Sequence, residues 1–343
     1  MIIRVPPEAA GVRSMQTLAE RGENKRRMAI DKIFADFPGR ALLRPAGEAF
    51  AAAGFDFVLS GGAVRDAMLG RHCDDFDVVT DAAPARISEL LAVLGEEVHE
   101  VPNGLGTRGV RVGRQGIEVT TYRSPDFDKS GPRGGAVHSP SSLEKDLLCR
   151  DFTVNAIAWR VPQAEPADPL GGATDLRHRV LRTPRDPLRT FRDDPSRLIR
   201  AARFAASLDF SLAPDTAAAM SALADELRTA PEDGVSYELA KLLALPEFER
   251  AVAILVQTGL ADALAGRLRD APDGAGAPLL GEFHKRTRTV APMAQGDHLL
   301  KSDQFQEQYA ACHYREFPFR HPALGGPPRG STSTDGRAAA CQL

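Results

Sequence analysis

The segment from Leu59 to Asp81, LSGGAVRDAMLGRHCDDFDVVTD, constrains this chain more than any other. An apolar run, Phe57-Val58-Leu59, meets Gly61-Gly62; a helical AVRDAML follows, and Gly70 closes it before a second apolar strand. The pattern predicts strand, glycine turn, short helix, turn and strand. In Asp75-Phe76-Asp77-Val78-Val79 the aspartates stand two apart, so a strand points both carboxylates to one face while Phe76 and Val78 point to the other. Two hard anionic ligands beside a glycine turn, whose free N–H groups open a helix, suit Mg²⁺ and a polyphosphate.

Composition excludes several other classes. With 343 residues and 43% hydrophobic content the chain can hold two or three domains with a real core. Forty-three basic and 46 acidic side chains give a net charge of -3, so a nucleic acid would be held by a local basic stripe and not by the whole surface. Cys73, Cys149, Cys312 and Cys341 form no CxxC pair, which argues for a reducing compartment and against a zinc ribbon, a disulfide framework or a disulfide-linked partner. No apolar run reaches the length of a membrane span and the N-terminus lacks a signal-peptide core, so the expected setting is cytoplasmic, with no membrane partner.

In chain order, residues 1–30 are polar and charged and read as a mobile lead-in. Apolar spacing from Lys32 to Ala53 predicts helical segments interrupted at Pro38-Gly39 and at Pro45-Ala46-Gly47. A helix from Pro84 to Gly95 precedes strands at 97–101, 109–112 and 117–123, which predict a small mixed sheet with antiparallel hairpins. Glu118, Thr120 and Tyr122 share a face, so Glu118 can join the aspartates if its strand lies beside theirs. Residues 124–142, rich in Gly, Pro and Ser, predict a flexible loop near the site, and 143–159 has helical spacing. Nine arginines lie between Arg177 and Arg203. Asp194 and Pro195 read as the cap and first residue of a helix on which Arg197, Arg200 and Arg203 recur every third residue along one face. Helices at 214–227, 236–245 and 247–260 make this region all-α, and 266–343 reads as irregular.

Taken singly these pieces are weak: an isolated DxD is a solvated turn, and Asp194 with Arg197 is a capped helix with an exposed arginine. In order, however, Gly61-Gly62-Ala63-Val64-Arg65-Asp66, Asp75-Phe76-Asp77, Glu118-Val119-Thr120-Thr121-Tyr122-Arg123, Arg150-Asp151-Phe152-Thr153-Val154-Asn155-Ala156, Asp168-Pro169 through Leu176, and Asp193-Asp194-Pro195-Ser196-Arg197 with Arg200, Ala201, Arg203 and Phe204 resemble a known family. It is that of the class II tRNA nucleotidyltransferases (CCA-adding enzymes) and bacterial poly(A) polymerases, which share a polymerase-beta-like nucleotidyltransferase head. The likeness covers residues 55 to 262 or so.

The resemblance implies an α+β chain: a nucleotidyltransferase head over 31–176 with a small mixed β-sheet and flanking helices, an all-α neck and body over 177–265 with base and RNA contacts, and a tail over 266–343. It implies template-independent addition of CCA to the tRNA acceptor end from CTP and ATP, with release of pyrophosphate and two Mg²⁺ ions. Asp75, Asp77 and Glu118 would be the catalytic metal ligands. Gly61, Gly62, Arg65 and Arg150 would bind the nucleotide's phosphates, Asp194 and Arg197 would read its base, and Arg200 and Arg203 would support the triphosphate or the Asp194 carboxylate. The alternatives are a poly(A) polymerase, a CC-only or A-only adding enzyme, a small-molecule nucleotidyltransferase, and a catalytically impaired RNA-binding remnant. The sequence departs from the family in three places. Cys149 stands where a second arginine is common; residues 235–239 lack an acidic-basic pair; and the irregular 266–343 replaces the usual body and tail helices.

Overall fold

The computed structural model describes residues 37, 39–124, 141–269 and 281–283. The expected lead-in and nearly all of the 124–142 loop and the 266–343 tail lie outside the described residues. Helix α1 (Arg40–Ala52) buries Leu43, Ala46, Gly47 and Phe50 and runs on through Pro45. The interruption expected at Pro45 is absent, because Pro45 is exposed while the buried face of the helix packs closely: a Cβ on Gly47 would lie 2.7 Å from Val161 Cγ1. That burial outweighs one missing backbone bond.

The strand–turn–helix–strand reading holds: β1 (Val58–Ser60), the Gly61 turn, α2 (Gly62–Met68) and β2 (Asp75–Thr80). β1 is buried throughout, since Leu59 packs into the main core and Val58 into a second apolar cluster, whereas β2 exposes Asp75 and Asp77 and buries Phe76 and Val78. Helix α3 (Pro84–Leu91) leads to β3 (His99–Glu100), β4 (Arg108–Val112) and β5 (Gln115–Thr121). β4 and β5 form the expected hairpin, and β5 then lies parallel to β2.

After α4 (Leu143–Leu148) the chain departs from the helix expected over 143–159. It makes a 3-10 turn at Thr153–Asn155, then β6 (Ala158–Arg160) and β7 (Glu165–Ala167), for a sheet order β3-β4-β5-β2-β1-β6-β7. The reason is local competition followed by tertiary pairing. Asp151 Oδ1 accepts from Phe152 N (2.8 Å) and Asn155 Nδ2 (2.9 Å), which replaces helical bonding, and β6 then pairs with β1. Trp159 goes under the sheet, where Phe37 meets it and Phe76 edge-on, with ring centroids 5.9 and 5.4 Å apart.

The remaining chain is mainly helical: α5 (Gly172–His178), α6 (Pro187–Asp193), α7 (Ser196–Ser207), α8 (Pro214–Ala222), α9 (Glu232–Leu243), α10 (Phe248–Gln257) and α11 (Leu260–Arg269). It is not purely so. β8 (Val180–Leu181) and β9 (Ser211–Leu212) pair in parallel, too short for any alternation to reveal them. Helix α7 buries Leu198, Ile199, Ala201, Ala202 and Ala205 and packs against α9 and α10. Helix α11 extends beyond residue 265, and Phe283 is buried edge-on to Phe248 (6.4 Å), so part of the stretch expected to be irregular is packed. No helix among the described residues is long and apolar enough to cross a membrane.

Candidate active site

The parallel register of β2 and β5 places Asp75 opposite Gly116 and Asp77 opposite Glu118, so the condition set for Glu118 is met. All three carboxylates share one face of the sheet. Asp75 and Asp77 are open to solvent, and the Glu118 carboxyl is raised above its ordinary pKa, first by partial burial and then by repulsion from Asp77 and Asp75. Charge repulsion of this kind is what a bound divalent cation relieves, and oxygen donors suit Mg²⁺. Among the described residues no three acidic, histidine or cysteine side chains gather into a group able to hold a metal ion. Asp75 and Asp77 fit as the primary pair, with Glu118 beside them.

Gly61 ends β1 with φ 81° and ψ -145°, a conformation open to glycine. A Cβ there would lie 3.0 Å from Asp77 Oδ2 and 3.3 Å from Arg150 Nη1, so the turn presses directly against the acidic face. Gly62 begins α2. Arg150 reaches the same place: Nη2 donates to Ser60 Oγ (2.6 Å), and Nη1 is 4.0 Å from Asp77 Oδ2. Behind it stands the fully buried Asp146, 2.8 Å from Arg123 Nε and 3.6 Å from Arg150 Nε. Burial pushes the Asp146 carboxyl up, but Arg123 and Arg150 outweigh it and hold it below the usual carboxylate range.

The other arginines form a second layer. Arg65 is 7% exposed; it holds Asp66 through Nε (2.9 Å) and Nη2 (2.8 Å), donates from Nη1 to Asn155 Oδ1 (2.6 Å), and lies over the Phe204 ring. Its guanidinium is thus engaged inside the protein, not presented at the open face. Asp151, bound by Asn155, sits 2.7 Å from Arg200 Nε in an ion pair whose N–H lacks hydrogen-bond alignment. Burial raises the Asp151 carboxyl, and Arg200, the Asn155 hydrogen bond, Arg197 and Phe152 N–H more than reverse it.

The ion pairs of Arg200 and Arg203 go to partners other than the expected Asp194, although the Asp194 charge still acts on Arg200. Arg200 Nη1 and Arg203 Nε instead donate to the two oxygens of Glu238 on α9 (3.3 and 2.7 Å), because the helical turn carries these positions away from the N-terminus toward the neighbouring helix. Only Arg197 turns to Asp194, with Nε 3.6 Å from Oδ2, while its Nη2 donates to Cys149 O (3.1 Å). Burial lowers the Arg197 pKa. Pro195, expected as the first helical residue, takes the cap position of α7 instead of Asp194; from one residue earlier Asp194 Oδ1 still accepts from Ser196 N (3.2 Å) and Ser196 Oγ (2.6 Å), and Oδ2 lies toward Arg197.

Two of the sequence departures thereby acquire a structural meaning. Position 149 holds Arg197 through its backbone carbonyl, so that contact does not depend on the side chain there. The shortened stretch around 235–239 still forms α9 and delivers Glu238 to α7. Sequence reasoning missed Glu238, although an acid at a stripe position among Val235, Leu239 and Leu242 is a legible sign of a buried partner.

Residues 57–182 match the poly A polymerase head domain, and residues 209–268 match a probable RNA and SrmB-binding site of polymerase A. Among the proteins this chain is similar to, the CCA-adding enzyme of Geobacillus stearothermophilus is 37% identical over 213 residues, 62% of this chain and 52% of that one. The CCA-adding enzyme of Geobacillus thermodenitrificans is 38% identical over 213 residues, again 62% and 52%. The chain spans about half the length of the curated relatives it matches. Among solved structures, the Bacillus stearothermophilus CCA-adding enzyme in complex with CTP is 34% identical with a TM-score of 0.56, covering 70% of this chain and 56% of that one. The Thermotoga maritima CCA-adding enzyme complexed with tRNA shares the fold at a TM-score of 0.61 and 22% identity, covering 79% and 70%. Within the polymerase-head span lie Gly61, Gly62, Arg65, Asp75, Asp77, Glu118 and Arg150. Asp194, Arg197, Arg200 and Arg203 fall between the two matched spans.

Proposed function

We propose that this chain is a Mg²⁺-dependent, template-independent nucleotidyltransferase that adds CCA to tRNA 3′ ends from CTP and ATP. The observation that carries the reading is the pairing of Asp77 with Glu118 across parallel strands, next to Asp75 and a glycine turn that closes on Asp77. The CTP complex of the 34% identical relative supports the choice of substrate. In the reaction the RNA 3′-oxygen forms a bond to the α-phosphorus, the bond to the β-phosphate oxygen breaks, and pyrophosphate departs. Held by Asp75 and Asp77, with Glu118 beside them, Mg²⁺ would supply charge neutralisation of the triphosphate and a lowered pKa for the attacking hydroxyl.

The chain's own residues arrange the rest. Gly61 and Gly62 bring backbone close to the acidic face, and Arg150, fixed by Ser60 and Asp146, sets a guanidinium beside Asp77 for the phosphates. Asp194 Oδ2 accepts from an exocyclic amine, which cytosine and adenine carry and uracil lacks, while Arg197 donates to ring acceptors. Arg65, Arg200 and Arg203 act at a distance by tying α2, Asp151, α7 and α9 into one frame. That frame, intact at Cys149 and at Glu238, favours an enzyme over an RNA-binding remnant. The free cysteines Cys73 and Cys149 suit a cytoplasmic setting.

The test is incubation with Mg²⁺, tRNA lacking its 3′ end, and CTP and ATP singly and together, followed by sequencing of the 3′ ends. Addition of CCA is expected, and it should vanish in the Asp75→Ala, Asp77→Ala double variant. Incorporation that survives the double variant removes the metal assignment.

A further inference from the structure

Two rows of aligned residues cross the sheet on its acidic face. In one, Asp75 on β2 stands beside Gly116 on β5, which stands beside Arg111 on β4. In the other, Asp77 stands beside Glu118, then Gly109 on β4, then His99 on β3. Each row has a glycine where a side chain would separate the basic residue from the acids. Across Gly116, Arg111 Nη2 reaches to 3.3 Å from Asp75 Oδ1, while its Nη1 donates to Arg114 O (2.9 Å). Over Gly109 lies the His99 ring: a Cβ at 109 would be 2.7 Å from His99 Nε2. Arg111 is 59% exposed and His99 is also exposed, so neither is part of the buried frame.

Position relative to the acids decides what these groups do. The glycine turn, Arg150 and Ser60 flank Asp77 on the β1 side, while Arg111 and His99 flank the acids on the opposite, β4–β3 side. In-line displacement at phosphorus needs the attacking oxygen and the departing pyrophosphate on opposite sides of the α-phosphorus. If the β1 flank takes the triphosphate, the β4–β3 flank takes the strand that carries the nucleophile. A guanidinium and an imidazole there match the phosphodiester next to a 3′-terminal hydroxyl.

The geometry points to Arg111 and His99 as the subsite for the 3′-terminal phosphodiester of the RNA primer, with Gly116 and Gly109 as the openings through which they reach it. This assignment rests on the nucleotidyltransferase reading above. Asp75 holds Arg111 in the free protein, and an exposed ion pair of this kind exchanges at little cost for a phosphate contact once a divalent cation occupies the carboxylate. The anion bound could instead be the nucleotide's triphosphate, and the experiment separates the two.

The experiment uses the full chain with Arg111→Gln, Arg111→Lys and Gly109→Ala, the last displacing the His99 ring without touching its chemistry. Binding of a fluorescent RNA hairpin with a 3′ CC end is measured by anisotropy without nucleotide, and KM values for RNA and for ATP are measured separately. Arg111→Gln is expected to weaken RNA binding and raise the RNA KM about tenfold, with the ATP KM unchanged; Arg111→Lys recovers part of the loss, and Gly109→Ala shows a smaller loss in the same direction. A raised ATP KM with unchanged RNA binding assigns Arg111 to the triphosphate and overturns the proposal. Unchanged values for both make Arg111 a surface ion pair and overturn it as well. Failure of the underlying reading appears separately, in wild-type protein that neither binds nor extends RNA.

Discussion

Removing Glu238 tests whether the helix that carries Arg197 and follows Asp194 is held from behind. Glu238 is 2% exposed and takes Arg203 Nε at 2.7 Å and Arg200 Nη1 at 3.3 Å, both from α7. Deleting one partner of a buried pair costs about 3–5 kcal/mol, because the other charge is left without compensation. Arg203, with its side chain 11% exposed, falls in that regime. Arg200, 39% exposed and still beside Asp151, adds little after solvent screening. Glu238→Ala is therefore expected to lose about 3 kcal/mol, and Glu238→Gln about 1 kcal/mol, since the amide oxygen still accepts a hydrogen bond. Urea unfolding followed by far-UV circular dichroism reads this directly; at a slope of about 3 kcal/mol/M the alanine variant's midpoint falls by about 1 M. Because Glu238 pairs with α7 through Arg200 and Arg203, incorporation of UTP relative to CTP should also rise in the glutamine variant. A loss under about 0.5 kcal/mol for Glu238→Ala, in the range of ordinary surface changes, would refute the reasoning.

Other substitutions probe the site at separate points. Gly61→Ala puts a side chain at φ 81° and within 3.0 Å of Asp77 Oδ2, so thermal unfolding should show a loss of about 1–2 kcal/mol and single-turnover assays a larger fractional loss of activity. Asp194→Ala removes the acceptor for Ser196 N as well as the base reader; about 1 kcal/mol of stability should go, and competition assays should show weaker discrimination against UTP. Asp146, with its folded pKa depressed, contributes stability that is complete above the unfolded carboxylate value of about 3.9 and is lost as pH falls through the lower folded value. Asp146→Asn should thus be less stable at neutral pH, and the difference in melting temperature from the parent should shrink below about pH 4.

Much of the site was legible because its signals are local. A glycine pair between an apolar run and a helix, and acids two apart in a strand, need only turn chemistry and the period of two; the structure returned β1, the Gly61 turn, α2 and the exposed faces of Asp75 and Asp77. The local bonding of Asp194 at the start of α7 was readable for the same reason, one side chain serving the N–H of Ser196 two positions on, though the cap position itself fell to Pro195. Residues 148–160 were not, because the leucines, Phe152 and Trp159 satisfy a helical period as well as a turn and strand. The choice was made by Asp151 bonding to its neighbours and by the free edge of β1.

The sequence by itself determined the chemistry on offer: hard carboxylates, a glycine turn, and arginines at helical spacing. Only the tertiary structure decided which charges meet. Parallel pairing of β5 with β2 brought Glu118 to Asp77 across more than forty positions, and packing of α9 on α7 gave Arg200 and Arg203 to Glu238 and left Arg197 for Asp194. Coulomb attraction is indifferent to chain order, so partners are settled by where the apolar faces pack. The same holds for Gly116 and Gly109, which are strand residues and across the sheet are the gaps through which Arg111 and His99 approach the acids.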